Sequence, residues 1–135
     1  MRHKIITLAI TILTPICFIH GQDTYLTEQS GLFPDGSSYK LTVPISLAKQ
    51  STWKPEEGAL AVAPEQAYSS ALTAAKKLLP NSRVDCCELL LEHLMTPFPY
   101  ATYYYIEFRD KASRQYPFIV LMNGRVFSPT LSPKG

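Results

Sequence analysis

The sequence predicts an α+β fold, in which one long helix packs on a three- to four-stranded antiparallel meander and follows an N-terminal extended strand segment. An apolar stripe with helical spacing runs through residues 64–79. Apolar residues and aromatics then follow a strand pattern in residues 101–109 and 115–122. Asn123 and Gly124 form the dipeptide favoured in two-residue hairpin turns, so these last strands are expected to pair with their neighbours.

The helix is the clearest element. Pro64 suits a first helical position, Glu65 complements the positive end of the helix dipole, and Lys76 and Lys77 lie near the negative end. The small side chains of the stripe would let the helix lie close to a sheet. The stripe consists of Ala67, Tyr68, Ala71, Leu72, Ala75, Leu78 and Leu79.

Two segments before the last strands are harder to assign. Residues 39–47 alternate as a strand, and Pro44 predicts an edge strand or a merely extended segment. Residues 84–95 fit either a helix, begun by Asp85 and Glu88, or a strand that is apolar on both faces; we favour the strand because the later strands need a partner. Residues 22–63 thus form an N-terminal extended segment, residues 64–127 the helix and sheet, and residues 128–135 a flexible tail.

The first residues are typical of a secretory signal. Arg2 and Lys4 precede an apolar run over residues 5–19, and polar residues return from His20. We expect cleavage after Gly21, with a retained anchor as the alternative; after cleavage no stable membrane insertion is expected. Removing residues 1–21 takes away 2 of the 13 basic residues and none of the 11 acidic ones, so the mature chain has 11 of each and no charge excess for nucleic acid. The absence of an N-x-[ST] sequence favours a bacterial periplasm or exterior.

Reactive side chains are few. Cys86, Cys87 and His93 share one segment, but as a strand it would separate Cys87 from His93 by roughly 20 Å, and as a helix it would separate Cys86 from His93 by roughly 10.5 Å. We therefore expect no metal, no cofactor and no catalysis; the alternative is a small secreted enzyme that relies on His93. The two cysteines are expected to pack as small apolar residues or to form an intermolecular disulfide.

The strands contain aromatic and arginine residues of the kinds enriched at protein interfaces. Their alternative role is cross-strand packing within the sheet. The candidate partner-binding surface comprises Tyr100, Tyr103, Tyr105, Arg109, Arg114 and Tyr116.

Three predicted strands are apolar on both sides, so the sheet face away from the helix must be covered. The covering element is either residues 39–62 or a second copy of the chain. We favour the intrachain segment, with Trp53 as its main anchor.

Residues 64–127 resemble PepSY-type domains and, more loosely, cystatin-like domains. The likeness is carried by the alanine-rich helix APEQAYSSALTAAKKLLP, the strand YYYIEFRD and the hairpin FIVLMNGRVF. The resemblance implies an exported protein that binds rather than catalyses, with a peptidase as one class of partner. The sequence thus predicts an exported non-enzymatic binding module, inhibitor-like in one form, whose protein or peptide partner is unknown and which could form a homodimer.

Overall fold

The computed structural model describes residues 25–94 and 101–134 of the chain. Within these residues, one α-helix and two antiparallel sheets confirm the predicted α+β class. Two short 3-10 helices, Ile45–Gln50 and Pro55–Glu57, lie between the second strand and the helix. The other elements, in chain order, are β1 (Tyr25–Leu32), β2 (Ser38–Pro44), α1 (Pro64–Leu78), β3 (Val84–Leu94), β4 (Ala101–Asp110), β5 (Gln115–Leu121), β6 (Val126–Phe127) and β7 (Thr130–Ser132).

Helix α1 forms where the sequence predicts it. Pro64 occupies the first turn, and the side-chain oxygen of Gln66 accepts a hydrogen bond from the Ala63 backbone N–H at 2.9 Å, which caps the N-terminus. Ala67, Ala71 and Ala75 are fully buried on the face toward the sheet. Their small side chains let the helix backbone approach the sheet closely.

The larger sheet has the order β3-β4-β5-β6. Residues 84–94 form a strand and not a helix, as the favoured interpretation predicts, and Leu89 pairs with Ile106 of β4. The β5–β6 turn differs from the prediction. The predicted two-residue turn requires a positive φ at both Asn123 and Gly124. Gly124 has a φ of 89°, but Asn123 does not have a positive φ. A connection longer than two residues therefore links the two strands.

The smaller sheet, of order β1-β2-β7, corrects three predictions about the ends of the chain. Strand β2 pairs with β1 on one side and with β7 on the other, so it is the central strand and not an edge strand. Pro44 is its last residue and therefore does not interrupt it. The tail is not simply flexible, since Thr130–Ser132 pairs with β2. The N-terminal segment is not one extended strand but two strands and two 3-10 helices.

The two faces of the larger sheet pack against different elements. Even-numbered residues of β4, including Ile106 and Phe108, face α1 in what we call the helix-side core. Odd-numbered residues of β4 face the smaller sheet in the inter-sheet core, which contains Leu26, Leu41, Val43, Ala101, Tyr103, Tyr105, Ile119 and Leu121. The chain itself therefore covers the second face, as predicted.

Trp53 is not the anchor of that coverage, so this part of the prediction is wrong. Its half-buried ring packs against the helix-side core, lies 6.0 Å from the His93 ring and donates its indole N–H to the Gly58 carbonyl at 3.1 Å. Leu41 and Val43, both fully buried, cover the second face instead because the alternation of β2 directs them there.

Candidate interaction surface

The aromatic residues of the predicted partner-binding surface are core residues. Tyr103, Tyr105 and Tyr116 are 1%, 5% and 2% exposed. Tyr103 and Tyr105 belong to the inter-sheet core and Tyr116 to the helix-side core, so they lie on opposite faces of the sheet. These three tyrosines therefore do not form an accessible surface, and packing within the fold, the alternative interpretation, accounts for them. Tyr100 lies outside the described residues, and Arg109 is exposed.

Arg114 is engaged within the chain. Its Nε donates to Asp110 Oδ2 at 2.9 Å, and its Nη1 donates to Asp35 Oδ2 at 3.1 Å. Asp110, which is buried, also accepts hydrogen bonds from the Tyr116 hydroxyl at 3.0 Å and from the backbone N–H of Ala112 at 2.9 Å. This cluster fastens the β4–β5 turn and ties it to the β1–β2 turn.

The electrostatics of Asp110 follow from these contacts. Burial raises its pKa, but the backbone N–H of Arg114, the Tyr116 hydroxyl and the Arg114 guanidinium outweigh burial, so the pKa lies below its usual value. Asp110 is thus an ionised structural acceptor at neutral pH. Each of the three charged groups, Asp35, Asp110 and Arg114, has a partner inside the cluster, which is the arrangement expected of a structural element.

The two cysteines have properties unlike those of activated nucleophiles. Both are exposed and free of disulfides. Partial burial of the Cys87 thiol, together with the charge of Glu107 and the hydrogen bond to it, raises the pKa of Cys87 to about 11. Burial also raises the pKa of Cys86. Both thiols are therefore protonated at neutral pH, whereas a nucleophilic cysteine acts as the thiolate.

His93 lies near the opposite end of β3 from the cysteines. It is half-buried, and its Nδ1 is 2.6 Å from the hydroxyl oxygen of Thr102, which is fully buried. The Trp53 ring packs edge-on against its ring. His93 is thus held by a buried hydroxyl and an aromatic ring. Among residues 25–94 and 101–134, no three His, Cys, Asp or Glu side chains come together in a group that could hold a metal ion.

The terminal strands of the two sheets differ greatly in length. Strands β6 and β7 have only 2 and 3 residues, and such short terminal strands offer little backbone for pairing. Strand β1 has 8 residues and a polar sequence, and its Glu28 forms an ion pair with Lys40 of β2 at 3.6 Å. Strand β3 is the longest, with 11 residues. It is therefore the main candidate for pairing with another chain.

A β-bulge divides β3 into two halves. The register with β4 shifts between Cys86 and Glu88, so Cys87 is the extra residue. The N-terminal half, with the bulge and exposed Asp85, has features that discourage pairing. The C-terminal half, residues 88–94, pairs regularly with β4 and contains neither proline nor lysine. We call residues 88–94 the β3 edge.

The β3 edge has leucines on both faces, although Glu88, Glu92 and His93 also belong to it. On one face, Leu89 packs against the helix-side core and Leu91 is 40% exposed. On the other, Leu90 and Leu94 are half-buried beside the inter-sheet core, and Glu92 is buried. An added strand would therefore find apolar side chains on either side of the backbone. In the described part of the chain, β3 pairs with β4 alone.

The sequence analysis did not identify the β3 edge, because consecutive leucines at residues 89–91 indicate a strand that is covered on both faces. A signal was present: β3 is the first strand of the meander, and a first strand lies at the sheet edge unless a distant strand pairs with it. The β1–β2 unit joins the smaller sheet and leaves β3 terminal.

Comparisons with protein-family models, curated proteins and solved structures give no significant match to this chain. The resemblance to PepSY-type and cystatin-like domains therefore stays a prediction. Within the described residues, no helix is both long and apolar enough to span a membrane. The signal segment and its cleavage site lie outside those residues.

Proposed function

We propose that this chain is an exported, non-enzymatic interaction module that binds an extended protein segment as an additional strand on the β3 edge. The observation that carries the proposal is the terminal position of residues 88–94, which pair regularly with β4 and include four leucines. In strand addition, main-chain hydrogen bonds supply affinity, and pockets for alternate side chains supply specificity. The β3 edge offers both.

The surroundings of the β3 edge hold it in position. Strand β4, its neighbour, contains residues that are almost all buried, with α1 on one side and the smaller sheet on the other. A strand fixed in this way loses little conformational entropy when it binds, so more of the interaction energy appears as affinity. A preformed edge is what a binding module needs.

The chemistry of the remaining groups agrees with binding rather than catalysis. The Cys87 thiol is protonated at neutral pH because its pKa is raised to about 11, and His93 faces a buried hydroxyl. Export is supported by the basic, apolar and polar segments at the start of the sequence. The inhibitor-like form of the proposal, in which the bound segment belongs to a peptidase, rests on the PepSY and cystatin resemblance.

A display experiment tests the proposal directly. Linear seven-residue peptides displayed on phage are selected for binding to the purified mature protein. The affinity of the enriched peptides is then measured for the original protein and for the variants Leu91→Lys and Leu32→Lys. Lysine on an edge strand opposes strand addition. Leu32 is a matched control because it is also an exposed leucine, 77% accessible, on the terminal strand β1.

We expect enriched peptides with apolar residues at alternate positions. Their binding should weaken at least tenfold in Leu91→Lys and stay unchanged in Leu32→Lys. Selection that enriches no peptide over an unrelated protein would contradict the proposal. So would peptides that bind a folded Leu91→Lys variant as tightly as the original protein.

A further inference from the structure

We infer that Thr102 is a positioning residue of the β3 edge: its hydroxyl holds the His93 ring, and this ring contacts the segment that is bound there. The inference rests on the proposed function and names two residues of that site. His93 belongs to the β3 edge and lies opposite Thr102 in the register of β3 with β4. When a strand is added along residues 88–94, one of its side chains therefore lies beside His93.

Thr102 has a well-fixed position in the sheet. It is fully buried, and its backbone N–H donates to the Ser51 carbonyl at 2.6 Å. The Ser51 hydroxyl donates to the Thr102 carbonyl and accepts a hydrogen bond from the backbone N–H of Met122 at 2.8 Å. The backbone of Thr102 is thus held by β3 on one side and by Ser51 on the other. Its hydroxyl is therefore a fixed support for a side chain that contacts it.

Two contacts hold the His93 ring. Its Nδ1 is 2.6 Å from Thr102 Oγ1, and the Trp53 ring packs edge-on against it with 6.0 Å between the ring centroids. Trp53 is itself fixed, because its indole N–H donates to the Gly58 carbonyl at 3.1 Å. A half-buried histidine without such contacts would sample several rotamers. His93 is therefore ordered at the β3 edge before a segment binds.

Order that exists before binding has a defined effect on affinity. A side chain that becomes fixed only when the segment binds lowers the affinity through the conformational entropy that it loses. Without the Thr102 hydroxyl, His93 keeps only one of these two contacts, so part of this entropy is lost at the moment of binding. The expected reduction in affinity is roughly two- to tenfold, which corresponds to immobilising one side chain.

Two substitutions at residue 102 separate the hydroxyl from the packing. Thr102→Val keeps the branched shape and removes the hydroxyl, whereas Thr102→Ser keeps the hydroxyl and removes a methyl group. The affinity for the phage-selected peptides should fall roughly two- to tenfold in Thr102→Val and change by less than about twofold in Thr102→Ser. Tyr104→Phe is the matched control and should leave peptide affinity unchanged. It also removes a buried hydroxyl from the same face of β4, but this hydroxyl donates to the Val62 carbonyl at 2.7 Å.

The His93 imidazole supplies a measurement that a loss of stability alone would not change. A chain that begins at Gln22 has His93 as its only histidine, so its ring nitrogen resonances are identified directly by NMR. The Nδ1 resonance should move in Thr102→Val and stay close to its original position in Thr102→Ser and Tyr104→Phe. His93→Ala should itself weaken peptide binding. In the His93→Ala background, Thr102→Val should cause no further loss, because the hydroxyl acts through the ring.

Each result decides the inference, once thermal unfolding has identified the variants that fold. Unchanged peptide affinity in folded Thr102→Val or in His93→Ala would overturn it. So would an equal loss in Thr102→Ser, or a loss in Thr102→Val that is the same with and without His93. If one of these results is found while Leu91→Lys still weakens peptide binding, the inference fails and the proposed function stands. If no peptide is selected, or if Leu91→Lys changes no affinity, both fail.

Discussion

Replacing Asp110 with asparagine tests the cluster that fastens the β4–β5 turn. The carboxylate accepts four hydrogen bonds: two from backbone N–H groups at Ala112 and Arg114, one from the Arg114 side chain and one from the Tyr116 hydroxyl. Asparagine can keep the two backbone bonds through its oxygen. Its NH₂ group then faces the Arg114 N–H, where a donor meets a donor.

The magnitude follows from the groups that lose their acceptor. A hydrogen bond between charged groups contributes about 1.5–3 kcal/mol, and the Tyr116 bond about 1 kcal/mol. The Arg114 side chain is 32% exposed while that of Asp110 is 2% exposed, so water recovers part of the loss at arginine. We expect Asp110→Asn to lower the free energy of unfolding by about 2–3 kcal/mol at pH 7, or the melting temperature by roughly 10–15 °C for a domain of this size.

Urea denaturation between pH 2 and pH 7 measures the effect and its sign. The pKa of Asp110 is lower in the folded protein than in the unfolded chain, so its stabilisation is present above the unfolded value near 4 and is lost as the pH falls through the folded value. The difference between the original protein and Asp110→Asn should therefore shrink below about pH 4. Asp85→Asn is the control, because the Asp85 side chain is 77% exposed, and it should change the free energy of unfolding by less than about 0.5 kcal/mol. A similar small effect for Asp110→Asn, or a difference that does not depend on pH, would refute the reasoning.

Three further predictions concern the cores and the thiols. Leu41→Ala should lower the free energy of unfolding by about 2–5 kcal/mol in urea denaturation, because Leu41 is fully buried between the sheets; a loss below 1 kcal/mol would contradict that packing. Gly31→Ala should lower the free energy of unfolding by about 1–3 kcal/mol in the same assay, because an added Cβ would overlap Cε2 of the Tyr39 ring, and a neutral result would show that the ring does not cover the glycine. In a Cys86→Ser variant, alkylation of Cys87 should be far slower at pH 8 than that of a free peptide thiol, since a pKa of about 11 leaves roughly a hundredfold less thiolate than the ordinary value; equal rates would contradict the raised pKa.

The sequence predicted the elements whose residues show a local pattern. The alanine stripe of Pro64–Leu78 identified the helix, and the aromatic alternation of Ala101–Asp110 identified a strand. These segments contain enough of their own apolar residues to reveal the period of the structure. The need to cover the sheet's second face also followed from strands that are apolar on both sides.

The remaining elements depend on contacts between distant parts of the chain. Thr130–Ser132 is a strand because β2 lies beside it, and nothing in a short segment between prolines indicates this. Strand β1, Tyr25–Leu32, has a polar composition that reads as loop. Trp53 was assigned to the wrong face because a large aromatic residue indicates burial but not which side of a sheet it joins.

The candidate site shows the same limit. Tyrosine and arginine are enriched at interfaces, but they are also frequent in sheets, and composition does not distinguish the two. Which strand is terminal depends on the pairing of all the others. The β3 edge is terminal because β1, β2 and β7 form a separate sheet, and this pairing cannot be predicted from residues 88–94 themselves.

Amide hydrogen exchange over residues 88–94 tests most directly whether the β3 edge accepts a strand. In a chain whose β3 pairs with β4 alone, the amides directed away from β4 should exchange rapidly, while those directed toward β4 should be protected. Mass spectrometry compares the protein alone with the protein saturated by a peptide selected on phage. Our account predicts slower exchange in residues 88–94 when the peptide is bound and unchanged exchange in β5, which lies within the sheet. Equal exchange of residues 88–94 with and without the bound peptide would contradict it.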